Sequence, residues 1–165
     1  MWPVTLFNVC WLRADPQDLP TSSALTALCV AVYYAMDVGA ALAWVPLERA
    51  WFAAVADTVL LCALARGALL LGRRPERLRQ TLMALTGCGA IIAAASAVIG
   101  SVVPGGPSSL YVALPALFWL LAVYGHILRH ALEVPYVAGI FATGAYVFLS
   151  FIVVGPFLTS ATTGS

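Results

Sequence analysis

The sequence predicts an all-α membrane protein, a polytopic helical bundle of five transmembrane helices with a short N-terminal interfacial helix. Three observations support this fold class. Of the 165 residues, 62% are hydrophobic and 9% are charged, whereas a soluble domain normally carries roughly 25% charged residues. Five apolar segments each reach about 20 residues, which is enough to cross roughly 30 Å of hydrocarbon. The basic residues are also concentrated between particular segments, as is typical of multi-pass membrane proteins.

The predicted transmembrane domain covers residues 21–158. The five predicted spans comprise residues 23–45, 50–71, 81–103, 109–128 and 134–158. Residues 159–165 follow as a neutral tail of Thr, Ser, Ala and Gly, which predicts disorder at the C-terminal end.

Residues 1–20 are predicted to form a separate segment at the cytoplasmic face of the membrane. The apolar run is about a dozen residues long, too short to span a bilayer, and its aromatic content is typical of a helix that lies in the interface. Pro16 and Pro20 then end any helix, because each proline disfavours the helical conformation in the residue before it. The large apolar side chains of the predicted helix are Trp2, Leu6, Phe7, Val9 and Trp11.

The arginines predict the orientation of the spans. Seven of the eight fall on the side of the N-terminus and of the loop between spans two and three, and only Arg49 falls on the opposite side. Under the positive-inside rule, the arginine-rich side faces the cytoplasm. With five spans, the N-terminus is therefore predicted to be cytoplasmic and the C-terminus periplasmic.

Asp37 and Asp57 are the candidate functional residues inside the spans. A carboxylate in hydrocarbon costs roughly 2.5–3.5 kcal/mol on insertion scales, so it marks a candidate ion pathway. Both residues are predicted at similar depth on neighbouring antiparallel helices, where two carboxylates cannot both ionise cheaply. Tyr33 and Tyr34, one turn before Asp37, are candidate hydrogen-bond donors. The alternative is that each Asp only holds helices together.

Four arginines, Arg73, Arg74, Arg77 and Arg79, crowd the loop between spans two and three. One interpretation is that they only set the topology. The other is that they bind the headgroups of anionic membrane lipids, since each basic residue near such a surface contributes about 1 kcal/mol.

His126 and His130 share a helix face because they are four residues apart. That spacing is compatible with a metal or haem site, although the Glu of a metalloprotease motif is missing. The alternative is that both are interfacial residues at a helix C-terminus, where His is favoured. We therefore predict no cofactor, with these two histidines as the only weak metal candidates.

Small residues recur at a spacing of about four in two of the spans. Gly89, Ala93, Ala97 and Gly100 form one face, and Gly139 with Thr143 forms a shorter one. Such faces allow helices to approach closely. They predict tight packing within the bundle or, alternatively, association of two copies of the chain.

The sequence contains no GxSxG, P-loop, HExxH or CxxC motif, so we predict that the protein is not an enzyme. The net charge of +1 also predicts no nucleic-acid partner.

The chain resembles the Ypt-interacting-protein (Yip) family of five-span membrane proteins and its bacterial relatives. The resemblance rests on the number of spans, on residues 77–82 (RLRQTL) before span three and on residues 124–129 (YGHILR) at the end of span four. The chain is also similar to small proteobacterial inner-membrane proteins with the lead PQDLP at residues 16–20. The resemblance implies an accessory membrane protein without catalytic residues in a bacterial inner membrane. The acidic cytoplasmic motif of the eukaryotic family is missing, so no trafficking role is implied.

The first functional prediction is accordingly a non-enzymatic scaffold or accessory subunit. Its expected partners are membrane lipids, another membrane protein or a second copy of the chain. The second is a small proton- or cation-coupled transporter that uses Asp37 and Asp57. The third is a haem- or metal-binding membrane subunit that uses His126 and His130.

Overall fold

The computed structural model describes residues 2–103 and 109–159. Over these residues the backbone forms α-helices and two 3₁₀ turns, Pro16–Asp18 and Pro75–Arg77, without a strand, which confirms the predicted all-α class. The α-helices are α1 (Trp2–Cys10), α2 (Ser23–Ala41), α3 (Leu47–Leu71), α4 (Leu78–Val102), α5 (Leu110–Leu132) and α6 (Tyr136–Thr159). The predicted disordered tail, apart from Thr159 at the end of α6, lies outside the described residues.

Helices α2 to α6 are long and apolar enough to cross a membrane, so the protein is a multi-pass membrane protein with five candidate spans. Their ends differ from the predicted ones where turn residues intervene. Helix α2 ends at Ala41, and α3 begins at Leu47 directly after Pro46, whose extended backbone caps it. Helix α5 continues to Leu132, and Glu133 then ends it in the left-handed conformation with φ of 56°. Both histidines therefore lie within the last two turns of α5.

The five long helices form a closed ring. Each packs mainly against two others, in the order α2, α4, α5, α6, α3 and back to α2. Helices that are neighbours in the ring are thus not always neighbours in sequence, and α3 lies between α2 and α6. One apolar core joins these helices and includes the fully buried side chains of Met83, Tyr124 and Ile127.

Helix α1 packs on the outside of this ring, against α4 and α5. Leu6 covers Gly87, where a Cβ atom would lie 2.7 Å from the Leu6 side chain. The indole Nε1 of Trp119 donates a hydrogen bond to the carbonyl of Cys10 at 3.2 Å, and its ring meets that of Trp11 edge-on at 4.9 Å. These contacts fix α1 on the bundle, while its location at a membrane interface stays a prediction.

Two of the glycines predicted to allow close packing, Gly89 and Gly139, do so inside the chain, whereas Ala97 of the predicted face of α4 is exposed. A Cβ atom on Gly139 of α6 would lie 2.3 Å from the carbonyl oxygen of Gly125 on α5, so these two backbones touch. A Cβ atom on Gly89 of α4 would lie 2.4 Å from the hydroxyl of Tyr124 and 2.7 Å from the ring of Tyr33. Close approach of helices therefore depends on both glycines.

Candidate functional site

Asp57 is held in the bundle by hydroxyl groups from two other helices. Its carboxylate oxygen Oδ2 accepts hydrogen bonds from Tyr33 at 2.6 Å and from Tyr146 at 2.9 Å. The hydroxyl of Ser150 donates to Oδ1. The two tyrosine hydroxyls also lie 3.0 Å apart. Only 9% of Asp57 is exposed, so these bonds replace the water that the carboxylate loses on burial.

The order of helices in the ring brings these donors together. Asp57 lies on α3, Tyr33 on α2, and Tyr146 with Ser150 on α6, and α3 packs between α2 and α6. Tyr146 and Ser150 are four residues apart, so both face the same side of α6. Asp57 is ten residues from the start of α3, about 15 Å along the helix axis. The hydrogen-bonded carboxylate is therefore far from either end of its span.

Asp37 is the second carboxylate of this site. It lies one turn after Tyr33 on α2, and its carboxyl group is close enough to that of Asp57 to interact with it. Its Oδ2 atom is buried but has no hydrogen-bond partner among the described residues. We call Asp37, Asp57, Tyr33, Tyr146 and Ser150 the carboxylate site. The three hydroxyl groups of this site donate to Asp57, whereas the Oδ2 atom of Asp37 has no partner among the described residues.

Two clefts meet at the carboxylate site. The larger, of about 450 Å³, lies between α5, α6 and the site. The smaller, of about 190 Å³, lies towards the turn between α2 and α3, near Ala41 and Trp44. Asp37 and Asp57 line both clefts. The other walls of the two clefts are mostly apolar, which leaves the carboxylates as the charged groups that an entering ion would meet.

The two predicted tyrosines have different surroundings. Tyr33 is a donor to Asp57, but the ring of Tyr34 packs edge-on against Trp51 at 5.5 Å. The hydroxyl of Tyr34 is buried without a hydrogen-bond partner among the described residues. Adjacent helical residues point about 100° apart, so only one of the two can face Asp57. Tyr34 is therefore placed outside the carboxylate site.

Sequence reasoning missed Tyr146 and Ser150. A signal for them does exist, because both are hydroxyl-bearing residues at a spacing of four in a very apolar span. In a membrane span, such residues tend to form hydrogen bonds to another helix. Their partner was not predictable, because it depends on α6 packing next to α3.

Comparison with protein-family models, curated proteins and solved structures finds no match for the chain. The resemblance to the Yip family therefore stays a prediction.

The arginines proposed as lipid ligands fall into two groups. Arg74 donates to both carboxylate oxygens of Glu133, and Arg77 donates to Glu133 at 2.7 Å and to the carbonyl of His130 at 3.0 Å. These bonds tie the loop between α3 and α4 to the end of α5. Arg73 and Arg79 are exposed, and their side chains form no ion pair within the described residues. The charge available for lipid headgroups is thus centred on this second pair.

The ion pairs of Glu133 with Arg74 and Arg77 predict a modest dependence of the protein's stability on pH. The hydrogen bond from Arg77 and the charge of Arg74 lower the pKa of Glu133 below its ordinary value of 4.5. The stabilisation is therefore present above pH 4.5 and is lost as the pH falls through the lowered pKa. Because the group is exposed, we expect a small effect.

Thermal unfolding in detergent, compared at neutral pH and about pH 4, measures this contribution. Glu133→Gln should unfold at a lower temperature than the wild type at neutral pH. On acidification its unfolding temperature should fall less than that of the wild type. Glu76→Gln, in the loop that carries Arg74 and Arg77, is the control and should follow the wild type. Equal acid sensitivity of wild type and Glu133→Gln would contradict the assignment.

The two candidate histidines lie at the same end of the bundle as these arginines. Their rings meet edge-on with centroids 4.5 Å apart. The structure adds a residue that sequence reasoning missed, because Asp15 of the N-terminal segment lies beside His130. No local pattern in the sequence connects Asp15 to α5.

Proposed function

We propose that the protein is a small ion-coupled membrane transporter in which Asp37 and Asp57 bind a proton or a small cation. The observation that carries the proposal is the buried Oδ2 of Asp37, which has no hydrogen-bond partner among the described residues, on a carboxyl group that interacts with that of Asp57. Two carboxyl groups this close in a medium of low dielectric constant favour a shared proton or cation.

The two acidic residues are suited to different roles. Asp57 accepts bonds from Tyr33, Tyr146 and Ser150, which keep its carboxylate in place whether or not an ion is bound. Asp37 has an oxygen free to take a proton or to contact a cation. Because both residues line both clefts, an ion on Asp37 can be reached from either cleft. This arrangement supports ion binding within a transport path.

A second candidate function is the non-enzymatic scaffold or accessory subunit that binds lipids, another membrane protein or a second copy of the chain. The observation in its favour is that the bonds of Asp57 join α2, α3 and α6. A buried carboxylate bonded in this way stabilises the bundle even if no ion is transported.

We further propose that the protein lies in a bacterial inner membrane with its N-terminus in the cytoplasm and its C-terminus in the periplasm. The hydrogen bonds from Gln17 and Arg77 to the carbonyl of His130 bring the N-terminal segment, the loop before α4 and the end of α5 together. Most of the arginines thus lie at one end of the bundle, which supports this orientation under the positive-inside rule.

Labelling with dicyclohexylcarbodiimide tests the proposed ion site, because this reagent modifies protonated carboxyl groups in apolar surroundings. We expect mass spectrometry of the protein in lipid nanodiscs to find the label on Asp37, with slower labelling at higher pH. Asp37→Asn should lose the label. Glu48→Gln, which removes a carboxyl group at the start of α3, is the control and should leave it unchanged.

The same labelling experiment identifies the cation, because a cation bound at Asp37 protects this residue from the reagent. If added sodium ions slow the labelling of Asp37 while potassium ions do not, the site binds sodium in competition with the proton. Proteoliposomes should then show ion flux that Asp37→Asn abolishes. If Asp37 is never labelled, the ion-coupled proposal is wrong and the scaffold function is favoured.

A further inference from the structure

Asp15, His126 and His130 form a cluster at the end of α5, which we call the His–Asp cluster. The carboxylate oxygen Oδ1 of Asp15 lies 3.4 Å from the Nε2 atom of His130. One potential ligand atom from each of the three residues lies within 4.8 Å of the other two. All three side chains are half-buried, so the cluster is covered by the bundle but remains open to small ions.

The N-terminal segment holds Asp15 in a defined position. The 3₁₀ turn Pro16–Asp18 follows Asp15. The backbone amide of Asp15 donates a hydrogen bond to the side chain of Asp18 at 3.2 Å. The side-chain amide of Gln17 donates a hydrogen bond to the backbone carbonyl of His130 at 3.2 Å. Asp15 is therefore attached to the helix that carries both histidines.

Helix α4 holds the same segment from the other side. The side-chain amide of Gln80 donates to the carbonyls of Gln17 at 2.9 Å and Leu19 at 2.7 Å. Leu19 is itself almost fully buried, at 2% exposure. Because neighbouring groups fix both the helix and the segment, the three side chains need only small rotations to converge.

The donor set has the composition of a transition-metal site. Two imidazole nitrogens and one carboxylate oxygen are ligands that suit zinc and other first-row divalent ions. With bonds of about 2.0–2.2 Å, tetrahedral ligand atoms lie about 3.3 Å apart. The distance of 3.4 Å between Asp15 and His130 already meets that requirement. The third ligand, His126, lies one helical turn from His130, and its ligand atom lies within 4.8 Å of those of the other two residues.

We propose that Asp15, His126 and His130 bind one first-row divalent metal ion, with Zn²⁺ as the best match. Three protein ligands leave a fourth position for water, as in open zinc sites. The bound ion links the N-terminal segment to α5 and so stabilises the packing of α1 on the bundle. The alternative is a purely structural cluster, in which Asp15 pairs with His130 and the ring of His126 is bonded to the carbonyl of Ala14 at 3.3 Å.

The chain is well suited to a test of this site, because its sequence has two histidines and both belong to the cluster. The full chain is purified in detergent with an affinity tag that contains no histidine, and Zn²⁺ binding is measured by isothermal titration calorimetry. We expect one ion per chain. Removal of one ligand in His126→Ala, His130→Ala or Asp15→Asn should weaken binding by at least about tenfold.

Two controls distinguish the loss of a metal ligand from a general change in charge or folding. Glu76→Gln removes a carboxyl group from the neighbouring loop and should leave Zn²⁺ binding unchanged. Far-ultraviolet circular dichroism identifies any variant that fails to fold, and His126→Gln and His130→Gln, which retain polar side chains of intermediate size, then replace the alanine variants. Unchanged Zn²⁺ affinity in folded histidine variants, or the absence of binding in the wild type, would overturn the proposal.

Cobalt identifies the ligands directly. Co²⁺ in the proposed site should give visible absorption bands of a nitrogen- and oxygen-ligated ion, and these should disappear in the histidine variants. A thiolate-to-cobalt charge-transfer band would instead assign binding to cysteine and would also overturn the proposal. Because Asp37 and Asp57 belong to a separate site, Asp37→Asn should bind Zn²⁺ normally even if ion coupling fails.

Discussion

Asp57→Val is expected to lower the free energy of unfolding by about 2–4 kcal/mol, since interhelical hydrogen bonds in membrane proteins contribute about 0.6–1.7 kcal/mol each. Valine places an apolar side chain at this position and cannot accept the hydrogen bonds from Tyr33, Tyr146 and Ser150. The two tyrosine hydroxyls, 3.0 Å apart, can still bond to one another, but Ser150 loses its acceptor. A half-buried hydroxyl without a partner adds to the cost.

Unfolding in mixed micelles, followed by circular dichroism, measures this difference. Thr58→Val is the matched control, because Thr58 is next to Asp57 and its buried hydroxyl has no hydrogen-bond partner within the described residues. It should be no less stable than the wild type. Asp57→Asn, which keeps one carbonyl acceptor, should fall between the two. A fully stable Asp57→Val would show that the three hydroxyls do not hold the helices together.

The stability data also bear on the two candidate functions. If Asp57 is required for stability and Asp37 takes up the label, one carboxylate has a structural role while the other exchanges an ion. If Asp57 is required for stability and Asp37 is unreactive, both carboxylates serve the bundle alone, as the scaffold function requires. The stability of Asp57→Val and the labelling of Asp37 therefore have to be interpreted together.

The number of spans was predictable from sequence because it depends on local properties. Segment length and hydropathy decide whether a helix can cross a bilayer, and the described residues form five such helices. The proximity of Asp37 and Asp57 was also accessible, because a short turn joins α2 to α3 and both residues lie at similar depth. Two acidic residues within apolar segments are easily recognised in a sequence.

The remainder of the carboxylate site depends on tertiary order. Tyr146 and Ser150 reach Asp57 only because α6 closes the ring next to α3. The packing order of the helices cannot be predicted from a single sequence, because the apolar faces of the five helices are similar. Asp15 is a comparable case, because its approach to His130 depends on the path of an irregular segment and on hydrogen bonds from Gln17 and Gln80.

Gly139→Ala is expected to lower the free energy of unfolding by about 1–3 kcal/mol, the usual cost of overpacking. The added methyl group would lie 2.3 Å from the carbonyl oxygen of Gly125 and 3.2 Å from the backbone nitrogen of Arg129. Backbone atoms cannot rotate away as a side chain can, so α5 and α6 have to separate. That separation also weakens the packing of α6, which carries Tyr146 and Ser150.

Gly144→Ala is the matched control on the same helix. A methyl group there meets nothing within 4 Å, so Gly144→Ala should be at least as stable as the wild type, with a gain of up to about 1 kcal/mol from helix propensity. Both substitutions change helix propensity alike. The difference between the two variants in micelle unfolding therefore isolates the contact of α6 with α5. Equal stabilities would mean that the two backbones do not touch, whereas a specific loss in Gly139→Ala would assign the small-residue face of α6 to packing within the chain.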